Sequence, residues 1–252
     1  MSVWQWTERA TRWIAGPAFP VVPGNRLQAL VASYEPLSLR ERWWLTTRAL
    51  GTAYLMELAD RLLPEQGTIL DLGCGPGLLI RWLAQRPGRF LIGVELSSVR
   101  VQLAKRGALP SNACFFSADL REYRYAGPPL VGVLLIDVLL YLEPGEIVLL
   151  LRRLRAAAAP EAVLFVKDSL DRPRWKAHWM RAEERVKRCF RFYGVPVVPR
   201  TLLSAERWAE LFRRSGWRLR WFRSIGRWSP YPGWIGWADT GQNGRDANID
   251  CP

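Results

Sequence analysis

A glycine-rich loop that follows an apolar run constrains the fold of this chain more than any other stretch. Residues 67–78 read Gly-Thr-Ile-Leu-Asp-Leu-Gly-Cys-Gly-Pro-Gly-Leu. The apolar residues predict a buried strand, and Gly73, Gly75 and Gly77 permit backbone torsions and ligand approaches that a Cβ would block. Pro76 suits the start of a helix. A helix that begins here directs free amide groups at whatever lies over the loop, so the pattern predicts a nucleotide-binding unit.

Two common nucleotide-binding motifs do not fit this loop. Counted from Gly73, a dinucleotide fingerprint needs Gly or Ala at the position of Leu78. A Walker loop needs a Lys-Ser or Lys-Thr pair, and neither follows. The remaining pattern is acid-x-Gly-x-Gly-x-Gly at a strand end, with Asp71 as the acid. It resembles the S-adenosylmethionine (SAM) loop of class I methyltransferases, in which the acid helps to place the methionine part of the cofactor.

Two further acids follow predicted strands at the spacing of that family. Residues 89–95 read as a buried strand that ends in Glu95, 24 residues after Asp71. A carboxylate there can accept hydrogen bonds from both ribose hydroxyls. Residues 113–116 predict a third strand, and the resemblance implies that Asp119, shortly after it, lies beside the adenine amino group.

A fourth apolar strand, 130–136, leads into a segment that resembles the family motif bordering the methyl group. An acid after a strand is often only the N-cap of the next helix, so Asp119 and Asp137 could each be caps. Their joint spacing favours a cofactor site. The residues that the resemblance assigns to SAM are Asp71, Gly73, Cys74, Gly75, Gly77, Glu95, Leu96, Asp119, Leu120 and Asp137.

Apolar runs alternate with helical patterns from residue 64 onward, which predicts an α/β fold. Alternation at these lengths implies a doubly wound, mainly parallel sheet. The resemblance adds that the sheet has seven strands and that the last one is antiparallel. We expect helices at 78–85, 98–109, 144–158 and 204–215, and later strands at 162–166, 217–223 and 234–238.

The other segments form an N-terminal extension, an insertion and a tail. Trp and Pro in residues 1–24 predict an irregular arm, and Pro36 separates two helical patterns in 25–63. Ser38 is expected to cap the second helix in a capping box with Glu41. The predicted organisation is an arm and helical cap at 1–63, a Rossmann-like domain at 64–238 with a helical insertion after strand 5 at 167–199, and a disordered tail at 239–252.

Basic residues are concentrated in one part of the chain. The net charge is +13, and the stretch from Arg172 to Arg227 holds 16 Lys or Arg against four Glu. A basic face predicts an anionic partner, which can be nucleic acid, an acidic membrane surface or an anionic small substrate.

The cysteines bear on metal sites and disulfides, and the apolar segments bear on membrane spanning and on the cellular compartment. The four cysteines lack metal-ligand spacing, so we expect neither a metal site nor a disulfide framework. No stretch reaches the roughly 20 uncharged apolar residues that span a bilayer. The N-terminus lacks the apolar region of a signal peptide, and we therefore expect a cytoplasmic protein. The cysteines are Cys74, Cys114, Cys189 and Cys251.

Methyl transfer, as the resemblance implies, is an in-line displacement. The enzyme mainly aligns a nucleophile with the sulfonium methyl and excludes water, and an oxygen or carbon nucleophile also needs a general base. His178, the single histidine, is one candidate base, with Tyr141 and Asp137 as alternatives. A packed or exposed structural role for His178 stays open.

Residues at the start of the insertion are candidates for acceptor binding. Arg172 and Arg174 can bind a carboxylate or phosphate, and Trp175 can pack against an acceptor. Solvated surface charge is the alternative for each arginine. Lys167 and Asp168 stand at the carboxyl end of the fifth strand, where open α/β sheets bind ligands, although Asp168 could instead cap the turn that follows.

The sequence favours a SAM-dependent methyltransferase acting on a small-molecule or lipid-like acceptor that is anionic or carrier-bound. No Asn-Pro-Pro-Tyr motif follows the fourth strand, which disfavours methylation of DNA base amino groups and of glutamine. Residues 34–37 and 167–179 look similar to methyltransferases found beside lipid and polyene biosynthesis enzymes. The alternatives are an RNA or protein methyltransferase that uses the basic 172–227 segment, and a non-catalytic binding module.

Overall fold

Seven strands pair into one sheet in the computed structural model, which describes residues 3–14, 16, 19–175, 178, 200–225 and 233–241. In chain order they are β1 Gly67–Leu72, β2 Arg89–Glu95, β3 Ala113–Ser117, β4 Leu130–Ile136, β5 Ala158–Ser169, β6 Arg218–Ile225 and β7 Gly233–Asp239. The spatial order is β3-β2-β1-β4-β5-β7-β6. Strands β1 to β5 pair in parallel, and β7 is antiparallel to both of its neighbours. The predicted mainly parallel seven-stranded sheet with an antiparallel last strand is confirmed.

The strand order reverses beside β1, and this reversal places the site. From β1 the chain moves outward to β2 and β3, then crosses back to β4 on the other side of β1. The loops that leave β1 and β4 therefore diverge to opposite faces of the sheet. Ligands of open α/β sheets bind at such a switch point, outside the carboxyl ends of the strands.

Helices cover both faces of the sheet. One apolar core includes residues of α2 Gly24–Ala32, α3 Leu39–Leu62, α4 Leu78–Leu83 and α5 Ser98–Ala104, and α1 Thr7–Ile14 packs at its edge. The core on the opposite face includes residues of α6 Pro144–Ala157 and α7 Ala205–Arg214. Short 3-10 helices span Val3–Trp6 and Leu139–Tyr141. Because both faces are covered, the central strands are apolar on both sides.

Several element bounds differ from the sequence predictions. The arm expected to be irregular contains α1, which is amphipathic and packs against α3. The helix expected at 98–109 ends at Ala104, because Gly107 has a φ of 72° and its backbone approaches Ser33. The predicted capping box of Ser38 and Glu41 at the start of α3 is confirmed.

Candidate functional site

The glycine loop after β1 is held open on one side and packed on the other. Gly73 and Gly75 have φ angles of 82° and 56°, in the region that favours glycine. A Cβ on Gly73 would clash with Val138, whereas a Cβ on Gly75 would meet nothing within 4 Å. Gly73 is thus required for packing, and Gly75 leaves room for a ligand. The expectation that Pro76 starts the helix is wrong, because left-handed Gly77 is the N-cap of α4.

Glu95 ties the end of β2 to this loop. Its buried carboxylate accepts a hydrogen bond from Gly75 N at 3.0 Å and one from Ser97 N at 2.9 Å, each through a different oxygen. Arg100 lies 3.7 Å from the same carboxylate. Each carboxylate oxygen has a second acceptor site, so Glu95 can still accept hydrogen bonds from two ligand hydroxyls.

Asp71 is the second buried acid of the loop. It lies on β1, opposite Gly93 of β2, and is almost fully buried. Burial, followed by the neighbouring charge of Glu95, raises the pKa of Asp71 to about 8. Glu95 therefore places a negative charge beside Gly75, and Asp71 can add a second one when a cationic ligand group favours its carboxylate form.

Asp119 and its neighbours lie beyond β3, as the sequence predicts, but Asp119 has a local partner. Arg121 donates from Nε to both carboxylate oxygens at 3.0 Å, and from its backbone N at 2.8 Å. The hydrogen bonds from Arg121 lower the pKa of Asp119. Leu96 is exposed after β2, and Leu120 is half-buried. Contact of these residues with adenine stays a prediction.

The N-terminal helices contact the loop through a residue that sequence reasoning missed. The Tyr34 hydroxyl donates to Pro76 O at 2.8 Å, and its buried ring lies 3.9 Å from the guanidinium of Arg81. Arg81 in turn donates to Ser33 and to backbone carbonyls after α5. The helical cap therefore supports the glycine loop directly. Residues 34–37 carry a family resemblance, but no local pattern links Tyr34 to Pro76, which is 42 residues away.

Asp137 stands at the carboxyl end of β4 in an unusual conformation. Its φ is 54°, the one positive φ of a non-glycine residue in the described part of the chain. Lys167 Nζ lies 2.5 Å from Asp137 Oδ1, and Asp137 N donates to Lys167 O. The Asp137 side chain is 44% exposed, so the ion pair borders solvent at the carboxyl edge of the sheet.

Asp168 organises the turn that follows Asp137. It is fully buried, and its carboxylate accepts hydrogen bonds from Leu139 N at 2.8 Å, Leu140 N at 3.3 Å and Ser169 N at 2.7 Å. Burial, followed by the charge of Asp137, raises the pKa of Asp168 to about 7. The expectation that Asp168 caps the turn after β5 is thus incomplete, because it mainly caps the turn after β4.

The insertion begins and ends beside this same turn. Asp171 N donates to Leu203 O, while Arg200 N and Thr201 N both donate to Leu140 O at 2.8 and 3.0 Å. The chain therefore leaves after Asp171 and returns at Arg200 beside the carboxyl edge of the sheet. Its candidate residues Arg172, Arg174, Trp175 and His178 are exposed, and most of the insertion, 176–177 and 179–199, lies outside the described residues, as does the tail from 242 onward.

The strained backbone of Asp137 has a measurable consequence for stability. We expect Asp137→Gly to be more stable than Asp137→Ala by about 1 kcal/mol, because only the alanine retains a Cβ at positive φ. Both variants lose the carboxylate and its ion pair, so each controls for the other. Urea unfolding of the two proteins measures the difference, and equal stabilities would show that the turn relaxes.

The described residues also bear on metal binding and on membrane spanning. No group of His, Cys, Asp or Glu there could hold a metal ion. None of the described helices is long and apolar enough to cross a membrane. Cys74 and Cys114 are free thiols, whereas Cys189 and Cys251 lie outside the described part.

Comparison with known proteins identifies relatives of this arrangement. Residues 69–161 match the family model described as methyltransferase domain. N-demethylindolmycin N-methyltransferase of Streptomyces griseus is 31% identical over 103 residues, which cover 40% of this chain and 44% of that protein. The matched region thus spans less than half of that curated relative.

Solved structures share the fold. Magnesium protoporphyrin IX methyltransferase of Synechocystis PCC 6803, with bound SAH, has a TM-score of 0.56 at 17% identity over 86% of this chain and 94% of that one. A SAM-dependent methyltransferase of Methanosarcina mazei has a TM-score of 0.54 at 18% identity, over 72% and 96% of the two chains. At these identities the likeness concerns the fold alone.

Proposed function

We propose that the chain is a class I, Rossmann-like SAM-dependent methyltransferase and that it methylates a small-molecule or lipid-like acceptor, because residues 69–161 match a methyltransferase-domain model and the fold agrees with it. We propose further that the acceptor is anionic or carrier-bound. The observation that carries the proposal is the junction of the glycine loop with Glu95 at the switch point. There, open space over Gly75 adjoins two buried carboxylates.

The residues present fit SAM. The free acceptor sites on Glu95 suit the ribose hydroxyls. The charge of Glu95, joined by that of Asp71 once Asp71 releases its proton, suits the ammonium of the methionine part. A Cβ at Gly75 would project into the open space over the loop. When bound, the cofactor supplies a methyl group activated by a sulfonium. The residues proposed to hold it are Asp71, Gly73, Cys74, Gly75, Gly77, Glu95, Leu96, Asp119, Leu120 and Asp137.

The acceptor side would be formed by the turn after β4 and the insertion. Lys167 engages one oxygen of Asp137 and leaves the other available to an acceptor proton. Tyr141 lies on the turn that Asp168 holds, and exposed His178 lies on the insertion. These three side chains are the proposed bases, and Arg172, Arg174 and Trp175 are proposed to bind the acceptor.

The named relatives support an acceptor of small size. The Streptomyces griseus relative is an N-methyltransferase of N-demethylindolmycin, and the Synechocystis structure is a methyltransferase of magnesium protoporphyrin IX. Both names denote small molecules rather than nucleic acid or protein. Exposed arginines at the start of the insertion are consistent with an anionic group on the acceptor.

Titration calorimetry with SAM and S-adenosylhomocysteine tests the proposal. We expect both to bind with dissociation constants in the micromolar range, and absence of binding would refute the enzyme assignment. Methyl transfer is then measured with labelled SAM against panels of small acids, lipids, RNA and protein. Transfer to RNA with a steep salt dependence would favour the alternative acceptor class.

Asp71 makes SAM binding depend on pH. Its pKa of about 8 means that Asp71 is mostly protonated near pH 6 in the protein without cofactor. Binding of an ammonium group favours the carboxylate, so Asp71 must release a proton. We expect the affinity to rise with pH between about 5.5 and 7, where the ligand ammonium stays charged, by up to about tenfold per pH unit.

Calorimetry in two buffers of different ionisation enthalpy counts the released protons. Asp71→Asn is the matched control, because it keeps the shape of the side chain and removes the titrating group. Its affinity should be lower and flat across this pH range. A wild-type profile without slope would contradict the role of Asp71.

A further inference from the structure

An exposed apolar stripe, formed by Val3, Trp6 and Trp13, lies along the N-terminal segment. Val3, Trp6 and Trp13 are 47%, 44% and 53% exposed. Trp6 immediately precedes α1 and Trp13 lies on it, seven residues later, so the two rings project from nearly the same side of the helix. Thr7 and Thr11 point to a different face and are buried. The stripe is thus separate from the face that packs on the protein.

Positive charge accompanies the stripe. Arg9 is exposed one turn after Trp6, and its guanidinium lies 4.7 Å from the centre of the Trp6 ring. The whole chain carries a net charge of +13. The exposed face of this helix carries Trp and Arg, while its other face is packed on the protein. That arrangement is typical of segments that lie in a membrane interface, where indole rings sit at the level of the headgroups.

The N-terminal segment packs on the rest of the protein near the proposed acceptor site. Ile14 packs against the core that contains α3. After α1, Phe19 contacts Tyr54 of α3 edge to face, with ring centres 5.4 Å apart. Burial raises the pKa of Tyr54, and the charge of Asp137 raises that pKa as well. The segment that carries the stripe therefore packs against Tyr54, which is within electrostatic range of Asp137 in the proposed acceptor site.

We propose that the Val3, Trp6 and Trp13 stripe, with Arg9, docks the protein on an anionic lipid surface. A protein partner needs about 800 Å² on each side for a stable interface, far more than three half-exposed side chains provide. A second copy of this chain would also bring like charges together. A bilayer needs only a few interfacial aromatics plus electrostatic attraction. Docking extends the proposed function and rests on it, because it would bring the proposed acceptor site to an acceptor held in the membrane.

Vesicle sedimentation tests the proposal with the full chain. We expect the protein to sediment with vesicles of equal parts phosphatidylcholine and phosphatidylglycerol, much less with phosphatidylcholine alone, and less as salt increases. The double variant Trp6→Ser/Trp13→Ser should reduce the partition coefficient for anionic vesicles by about tenfold or more. Arg9→Glu should also reduce this partition coefficient, because the substitution reverses a charge at the docking surface.

Leu149→Ser is the matched control. Leu149 is 63% exposed on α6, which covers the opposite face of the sheet. This control should bind vesicles as the wild type does. Thermal unfolding of each variant shows that it folds, and SAM calorimetry shows whether the cofactor site is intact.

Three results would overturn the docking surface. They are absence of wild-type binding to anionic vesicles, unchanged binding of a folded Trp6→Ser/Trp13→Ser variant, and an equal loss in Leu149→Ser. If the wild type binds SAM but not these vesicles, the inference fails while the proposed function stands. If it binds the vesicles but not SAM, the function fails instead.

Discussion

Glu95→Ala is expected to weaken the binding of SAM and S-adenosylhomocysteine by about 1.5–3 kcal/mol, or more than tenfold. The substitution removes the acceptors proposed for the ribose hydroxyls. It also frees Gly75 N and Ser97 N, which the carboxylate holds at 3.0 and 2.9 Å, so the loop loses its attachment to the end of β2. Titration calorimetry measures the change with either ligand.

Two variants make this result specific. Glu95→Gln keeps the size of the side chain, but its amide nitrogen must face a backbone N–H, so we expect an intermediate loss. Glu65→Ala removes an exposed carboxylate that pairs with Arg86, and it should leave the affinity unchanged. A Glu95→Ala protein that binds SAM as tightly as the wild type would remove Glu95 from the site.

Asp168→Ala is expected to lower the free energy of unfolding by about 2–4 kcal/mol near pH 5. The alanine leaves the N–H groups of Leu139, Leu140 and Ser169 without their acceptor, and a buried donor without a partner costs about 1–3 kcal/mol. Methyl transfer should fall more than SAM affinity does, because the turn carries Tyr141 and follows Asp137.

The stability difference should shrink as pH rises. The pKa of Asp168 is about 7 in the folded protein, above the ordinary 3.8, so the folded state holds the extra proton between these values. The stabilising effect of this extra proton is complete below about pH 4 and is lost as pH rises through about 7. Urea unfolding at pH 5 and pH 8 measures the change.

Asp171→Ala is a suitable control, since it leaves the acceptor of the turn in place. Its effect on stability should be small at both pH values. A difference between wild type and Asp168→Ala that is the same at pH 5 and pH 8 would show that Asp168 does not titrate as its burial implies.

Short-range patterns account for the elements that the sequence predicted well. The bounds of β1, β2 and β4 match the apolar runs, because a strand buried on both faces needs consecutive apolar residues. The capping box at Ser38 was predictable for a similar reason, since its partners are three residues apart. The expectation of an irregular arm was wrong at α1, which ends before Gly16 and Pro17 and packs against α3.

The strand-end acids proposed to hold the cofactor were accessible to sequence reasoning, and the contacts of the proposed acceptor side were not. Parallel strands bring their carboxyl ends to one edge, so acids at strand ends predict a shared site even without coordinates. Glu95 and Asp71 follow that rule. The supporting residues do not, because Tyr34 reaches Pro76 over 42 residues and Asp168 reaches Leu139 over 29 residues.

The sequence by itself therefore determined the α/β fold, the glycine loop and the acids that flank it. These features depend on residues close together in the chain or on the regular alternation of strands and helices. Only the tertiary structure decided that Gly75 rather than Gly73 leaves space for a ligand, that Lys167 pairs with Asp137, and that Asp168 caps the turn after β4. Each of those depends on which distant groups packing brings within hydrogen-bond or van der Waals distance, which no local pattern encodes.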